Sequence, residues 1–161
     1  MNAAPLLQKI ARVMQECGLE AVLVGNAAAA LQGAPVTTLD FDFMFRETPA
    51  NLRKLRRLAD KLDGSILRPY YPASKLYRLV NDDRGIQLDF MSALHGIRSY
   101  EGLRSRASCI TLGGSQLYVA ALEDVIRSKR ALGRPRDKAV LEILEKTQDE
   151  KTKASPAEDT E

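Results

Sequence analysis

Two acids, Asp40 and Asp42, sit two residues apart in the run LDFDFMF. Residues i and i+2 of a strand project from one face. The spacing therefore predicts neighbouring carboxylates, with Phe41, Phe43 and Phe45 turned the other way into a core. Paired carboxylates repel unless a proton or a cation neutralises them. A hard divalent ion with oxygen ligands, Mg2+ or Mn2+, suits such a pair. Asp89 repeats the pattern in GIQLDFM, an acid between Leu88 and Phe90 in an apolar run. If the two strands are neighbours, three carboxylates converge and could hold two metal ions. A lone D-x-D is as often a solvated strand face; acids within two separate strands carry more weight.

Upstream, Gly25-Asn26 lies where a strand should meet a helix. Glycine lets the backbone approach a ligand closely. The start of a helix offers free N–H groups to a phosphate. One end of such a site would take a triphosphate and the other its metals, which fits phosphoryl or nucleotidyl transfer.

These residues need elements to position them. Residues 5–17 read as an amphipathic helix ended by Gly18, and 21–25 as a short buried strand. Residues 26–33 read as a short helix capped by Asn26, and 39–45 as the strand bearing Asp40 and Asp42. Residues 50–62 form a helix with an inner leucine stripe and Arg53, Lys54, Arg56, Arg57 and Lys61 outward. Three strands follow at 65–71, 75–80 and 85–91, with NDDRG as a hairpin turn between the last two. A helical turn is expected at 97–104. Two strands then flank Gly113-Gly114, and helices span 121–133 and 137–147. The fold class is α/β (α+β), a mixed sheet with flanking helices and a C-terminal helical pair. We expect one domain over 1–147, its core at about 20–120, and a disordered charged tail at 148–161.

The chain of 161 residues carries +3, and its segment 149–161 carries −3, which leaves +6 for the rest. A basic body invites a polyanion such as a nucleoside triphosphate or RNA, although a solvated surface would look the same. No apolar run approaches bilayer length and the N-terminal residues lack a secretion pattern, so no membrane is expected and the location should be cytoplasmic. Cys17 and Cys109 are expected as reduced, buried thiols, and with one histidine, His95, they cannot build a zinc site.

The ordered set VLVGNAAAALQGAPVTTLDFDFMF, the acid at Asp89 and VAALEDVIRSKRALGRPRD resembles the polymerase-β-type nucleotidyltransferase superfamily. Among its members it is most similar to the minimal AbiEii-like enzymes of toxin–antitoxin loci. The resemblance covers roughly residues 20–145. It implies metal ligation by Asp40, Asp42 and Asp89, with Asp89 as general base. Gly25 and Asn26 would match the glycine motif, and Thr38 the threonine before the acids. Lys129 would lie near the nucleotide phosphates, followed by Arg134 and Asp137. Implied partners are a nucleoside triphosphate with Mg2+ (or Mn2+), a tRNA end or protein hydroxyl as acceptor, and a cognate antitoxin. Asn26 replaces a second Gly or Ser, and Val36 stands where many members have Arg. A second reading follows: a catalytically inactive binding module or regulatory partner on the same fold.

Overall fold

The computed structural model describes residues 4–38 and 40–154. The chain runs α1 (Ala4–Cys17), β1 (Val22–Val24), α2 (Gly25–Leu31), β2 (Phe41–Met44), α3 (Pro49–Lys61), β3 (Ser65–Leu67) and β4 (Tyr77–Asn81). It continues with β5 (Ile86–Met91), α4 (Tyr100–Arg106), β6 (Ser108–Leu112), β7 (Ser115–Val119), α5 (Leu122–Leu132) and α6 (Pro135–Ala154). Among the described residues seven strands make one mixed sheet, ordered β3-β4-β5-β2-β1-β7-β6. The α/β expectation holds.

The β2–β5 seam is parallel and pairs Phe41 with Leu88, Asp42 with Asp89 and Phe43 with Phe90. Both strands are apolar on either side of their acids because the sheet centre is covered on both faces. Phe43 stacks on Phe90 with centroids 5.1 Å apart, and Phe45 meets Phe90 and Tyr77 edge-on. Each such pair adds about 1 kcal/mol beyond its burial. A slip of one residue would turn these rings out and the acids in, so the ladder fixes the register of the acids. The hairpin β4–β5 is closed by a 3-10 turn, Asp82–Arg84, with Asn81 accepting from the Arg84 N–H and Gly85 at φ 66°.

Several boundaries differ from expectation. The strand bearing the acids begins at Phe41, so Asp40 precedes it and is exposed. Leu39 lies outside the described residues. The expected strand 65–71 stops at Leu67, since Pro69 and Pro72 cannot serve a ladder. Asn26 does not cap α2: it lies inside the helix, whose N-cap position is Val24 without a side-chain cap. The helix starts earlier because Gly25 takes φ 68° and turns the chain directly out of β1. Helix α6 runs to Ala154, so residues 148–154 of the expected tail are helical. Thr147 is buried and its hydroxyl returns to the Ile143 carbonyl, and the following QDEKTK is rich in helix formers. The remaining tail, 155–161, lies outside the described residues. Cys17 is buried as expected, but Cys109 is exposed on the edge strand β6.

Candidate active site

The site is built at the sheet centre, where four strands place residues abreast. Val24 of β1 pairs with Asp42 of β2, which pairs with Asp89 of β5, which pairs with Arg78 of β4. Gly25, just after Val24, presses on Asp42: a Cβ there would come within 2.9 Å of its Oδ2. Only glycine permits both that approach and the positive φ.

The carboxylates crowd one another. Burial, then the charges of Asp89 and Asp40, push the Asp42 carboxyl up to about 6, against weaker opposing pulls from Lys129 and Arg78. Asp89 is held differently. Arg78 forks onto it, Nε to Oδ1 at 2.9 Å and Nη2 to Oδ2 at 3.1 Å. Those hydrogen bonds raise the guanidinium's already high pKa. The sequence reading missed Arg78. Counting back through the NDDRG hairpin from Asn81↔Ile86 leads to Arg78↔Asp89, so the signal was there to be used.

Opposite the acids stands α5. Its N-terminus has no side-chain cap of its own. Gln32, just past α2, accepts from the Leu122 N–H at 3.2 Å and donates to the Ala120 carbonyl at 2.7 Å. That tie fixes α5 against α2 and brings Lys129 into one pocket with Gly25, Asp42 and Arg134. Lys129 is 13% exposed, with Nζ 3.9 Å from Oδ1 of Asp137. Burial pulls its pKa down against the favourable charge of Asp137. Arg134 closes on Asp137 with Nε–Oδ2 2.5 Å and Nη2–Oδ1 3.1 Å, which holds that carboxyl below its usual range. Asp137 thus sits in the first turn of α6, accepting also from the Arg134 N–H at 3.2 Å. The pocket's other wall is apolar, from Met91, Leu94, Leu103 and Leu132.

Asp124, one turn before Ser128 on α5, is the second residue the sequence reading left without a role. It is 1% exposed and takes Arg106 Nε at 2.8 Å and Arg127 Nη1 at 2.9 Å. Its motif, acid then two apolar residues, reads equally as an exposed helix face. Thr38 is spent locally: its hydroxyl donates to the Asp40 carbonyl at 2.6 Å and accepts from the Asp40 N–H at 3.3 Å. His95 is an exposed turn residue, as expected.

The expected convergence of three free carboxylates needs correcting. Among the described residues no three His, Cys, Asp or Glu side chains are disposed around one metal position. Asp40 stands beyond the strand end, and Asp89 is already bound by Arg78. The fit to a divalent cation nevertheless has two supports. Asp42 carries an acid excess that a cation would relieve. The buried Oδ1 of Asn26, the residue after Gly25, has no hydrogen-bond partner among the described residues. An amide oxygen so placed accepts from a ligand donor or a cation.

A sheet of this topology, with an acid pair on adjoining parallel strands and glycine and lysine across from it, has the architecture of the nucleotidyltransferases. Residues 4–158 match the family described as nucleotidyl transferases of unknown function, and the chain belongs to that family. It is a nucleotidyltransferase. A candidate nucleotidyltransferase from Thermotoga maritima shares 24% identity at TM-score 0.63, covering 91% of this chain and 92% of that one. The antibiotic-resistance factor ANT(2'')-Ia, in complex with adenylyl-2''-tobramycin, gives 15% identity and TM-score 0.62 over 96% of this chain and 94% of that one. An antigenic nucleotidyltransferase-like protein from Paracoccidioides brasiliensis gives 14% and 0.57 over 89% and 74%. No curated protein matches the sequence. Among the described residues no helix is long and apolar enough to cross a membrane.

Proposed function

We propose that the chain moves a nucleoside monophosphate from a nucleoside triphosphate to an acceptor hydroxyl, in a divalent-metal-dependent reaction. The observation that carries this is the Asp42–Asp89 pairing, with Gly25 pressed on Asp42 and Lys129 in the same pocket. Asp40 and Asp42 would hold Mg2+ or Mn2+, which supplies charge to the triphosphate oxygens when bound. Lys129 and Arg134 face the phosphates, where a half-dried ammonium stabilises developing charge more strongly than it would in water. The apolar wall beside them, from Met91, Leu94, Leu103 and Leu132, would meet the nucleoside.

The acceptor oxygen attacks the α-phosphorus, the bond from that phosphorus to the bridging oxygen breaks, and pyrophosphate leaves. The hydroxyl proton goes to a carboxylate, and Asp89, abreast of Asp42, takes that role in this reading. Arg78 must then give up its fork on Asp89 as the substrates settle. Arg78 so becomes a positioning residue that holds the Asp89 carboxylate in place until then.

Incubation with each labelled triphosphate, Mg2+ and a panel of RNA, protein and aminoglycoside acceptors tests the reading. Label transfer lost in Asp42→Asn supports it. No transfer to any acceptor, or transfer that survives Asp42→Asn, overturns it. The same panel decides whether the acceptor is an RNA or a protein hydroxyl and whether the chain acts as the toxin of a toxin–antitoxin pair. The second reading, an inactive binding module or antitoxin-like partner, draws on one observation: Asp89 is already neutralised by Arg78. Nucleotide binding by calorimetry that is indifferent to Mg2+ would favour it.

A further inference from the structure

We propose that the loop from Leu67 to Tyr77 is a stacking platform for the end of a single-stranded polynucleotide, which is the acceptor in the reaction above. The inference rests on that reading for its consequence but not for its test.

Five large hydrophobic side chains are exposed among the described residues, and three of them, Leu67, Tyr70 and Tyr71, fall within five positions. Tyr70 is 77% exposed and Tyr71 66%. Tyr70 also holds φ 65°, a left-handed conformation that bulky side chains rarely take and that costs on the order of 1 kcal/mol or more. An aromatic ring held outward at that cost is not a fold requirement.

The loop is braced. The Arg68 guanidinium lies 3.9 Å from the Tyr77 ring centroid and 4.8 Å from that of Tyr71. Its Nε donates to the Leu76 carbonyl at 3.2 Å, and the Ser74 N–H donates to the Tyr70 carbonyl at 3.0 Å. Rings pre-set in this way lose little freedom on binding.

Position and charge choose the ligand. The platform starts at Leu67 of β3, which pairs with Arg78 of β4, the residue that grips Asp89. On the other side a groove of about 630 Å³ runs between α3 and the β3–β4 edge, lined by Arg56, Ile66, Arg68 and Tyr77. Arg53, Arg56 and Arg57 stand exposed along α3. Stacking rings beside a basic track bind unpaired bases and their phosphates. A polycationic aminoglycoside would meet like charge there.

The test measures binding of the full chain to fluorescent single-stranded RNA and DNA of about ten nucleotides, without triphosphate or Mg2+. Tyr70→Ala and Tyr71→Ala should each weaken binding roughly tenfold, Tyr70→Phe should retain it, and the remote Leu31→Ala should change nothing. Unchanged melting temperatures confirm that the variants fold. Equal binding by wild type and both alanine variants, equal binding of duplex, or no binding of either strand overturns the platform. Nucleotidyl transfer to a protein or aminoglycoside without strand binding overturns the platform alone. Strand binding that depends on Tyr70 without any transfer supports the platform and sinks the catalytic reading.

Discussion

Asp42 and Asp124 are both carboxylates sunk into this molecule, and the protein treats them in opposite ways. Asp124 receives two arginines and is 1% exposed. Asp137 likewise receives Arg134 and, more distantly, Lys129. Among the described residues Asp42 receives no ion pair: burial and the charges of Asp89 and Asp40 outweigh the pull of Lys129 and Arg78, and its pKa rises to about 6. Asp124, sealed by two arginines, serves the scaffold. An acid left among acids stores a cost that a ligand can remove, and such costs collect at functional sites. Asp89 stands between the two, gripped by Arg78 yet abreast of Asp42.

That contrast can be broken in order of expected effect. Asp42→Asn should lower transfer by about a thousandfold or more, read as initial rate with labelled triphosphate. The same change should stabilise the free protein. The folded pKa lies above the ordinary 3.8, so ionising Asp42 costs nothing below about pH 4, progressively more through pH 6, and its full amount above. A displacement of about two pKa units is worth at most about 3 kcal/mol, so melting at pH 8 should rise by several degrees and melting at pH 4 should not.

Asp124→Asn should do the reverse, leaving two arginines facing a neutral amide. Loss of about 3 kcal/mol or more and a drop in melting temperature of about 10 °C are expected, by thermal denaturation at neutral pH. If the two substitutions move stability in the same direction, the distinction between the acids fails. Gly25→Ala should cost roughly a hundredfold in rate by displacing Asp42 Oδ2, with the larger share in kcat. The smallest effect is on the cation itself. Mg2+ should raise the melting temperature by a few degrees in the wild type, by more in Arg78→Gln, where Asp89 is released, and not at all in Asp42→Asn.

Much of this was legible in the sequence. The i, i+2 spacing at Asp40 and Asp42 and the apolar frame of Asp89 announced an acid pair, and the β2–β5 register brings Asp42 and Asp89 side by side. Asp40 was misplaced because strand periodicity says nothing about where a strand begins. Tyr70 and Tyr71 were read as strand for their β propensity, although Pro69 and Pro72 on either side argued for a loop. Asp124 was hidden more deeply. Arg127 lies one turn along the same helix, but Arg106 comes from α4, and only packing shows that it reaches Asp124.

The parallel seam has a further consequence, for the order in which the molecule becomes active. Asp42 and Asp89 stand 89 − 42 = 47 positions apart, and β5 must slot between β2 and β4 before they meet. Pairings that close so long a stretch of chain form late and slowly compared with a helix or a hairpin. The β4–β5 hairpin, with its three-residue turn, can form first, and it carries Arg78 already opposite Asp89. Asp89 therefore arrives at the seam with its charge covered, and the acid repulsion is switched on only at docking. During biosynthesis no nascent chain shorter than β5 can possess the acid pair, and none lacking α5 can present Lys129 to it. Catalytic competence is in this sense a late-assembly property, acquired only once nearly the whole sheet has closed.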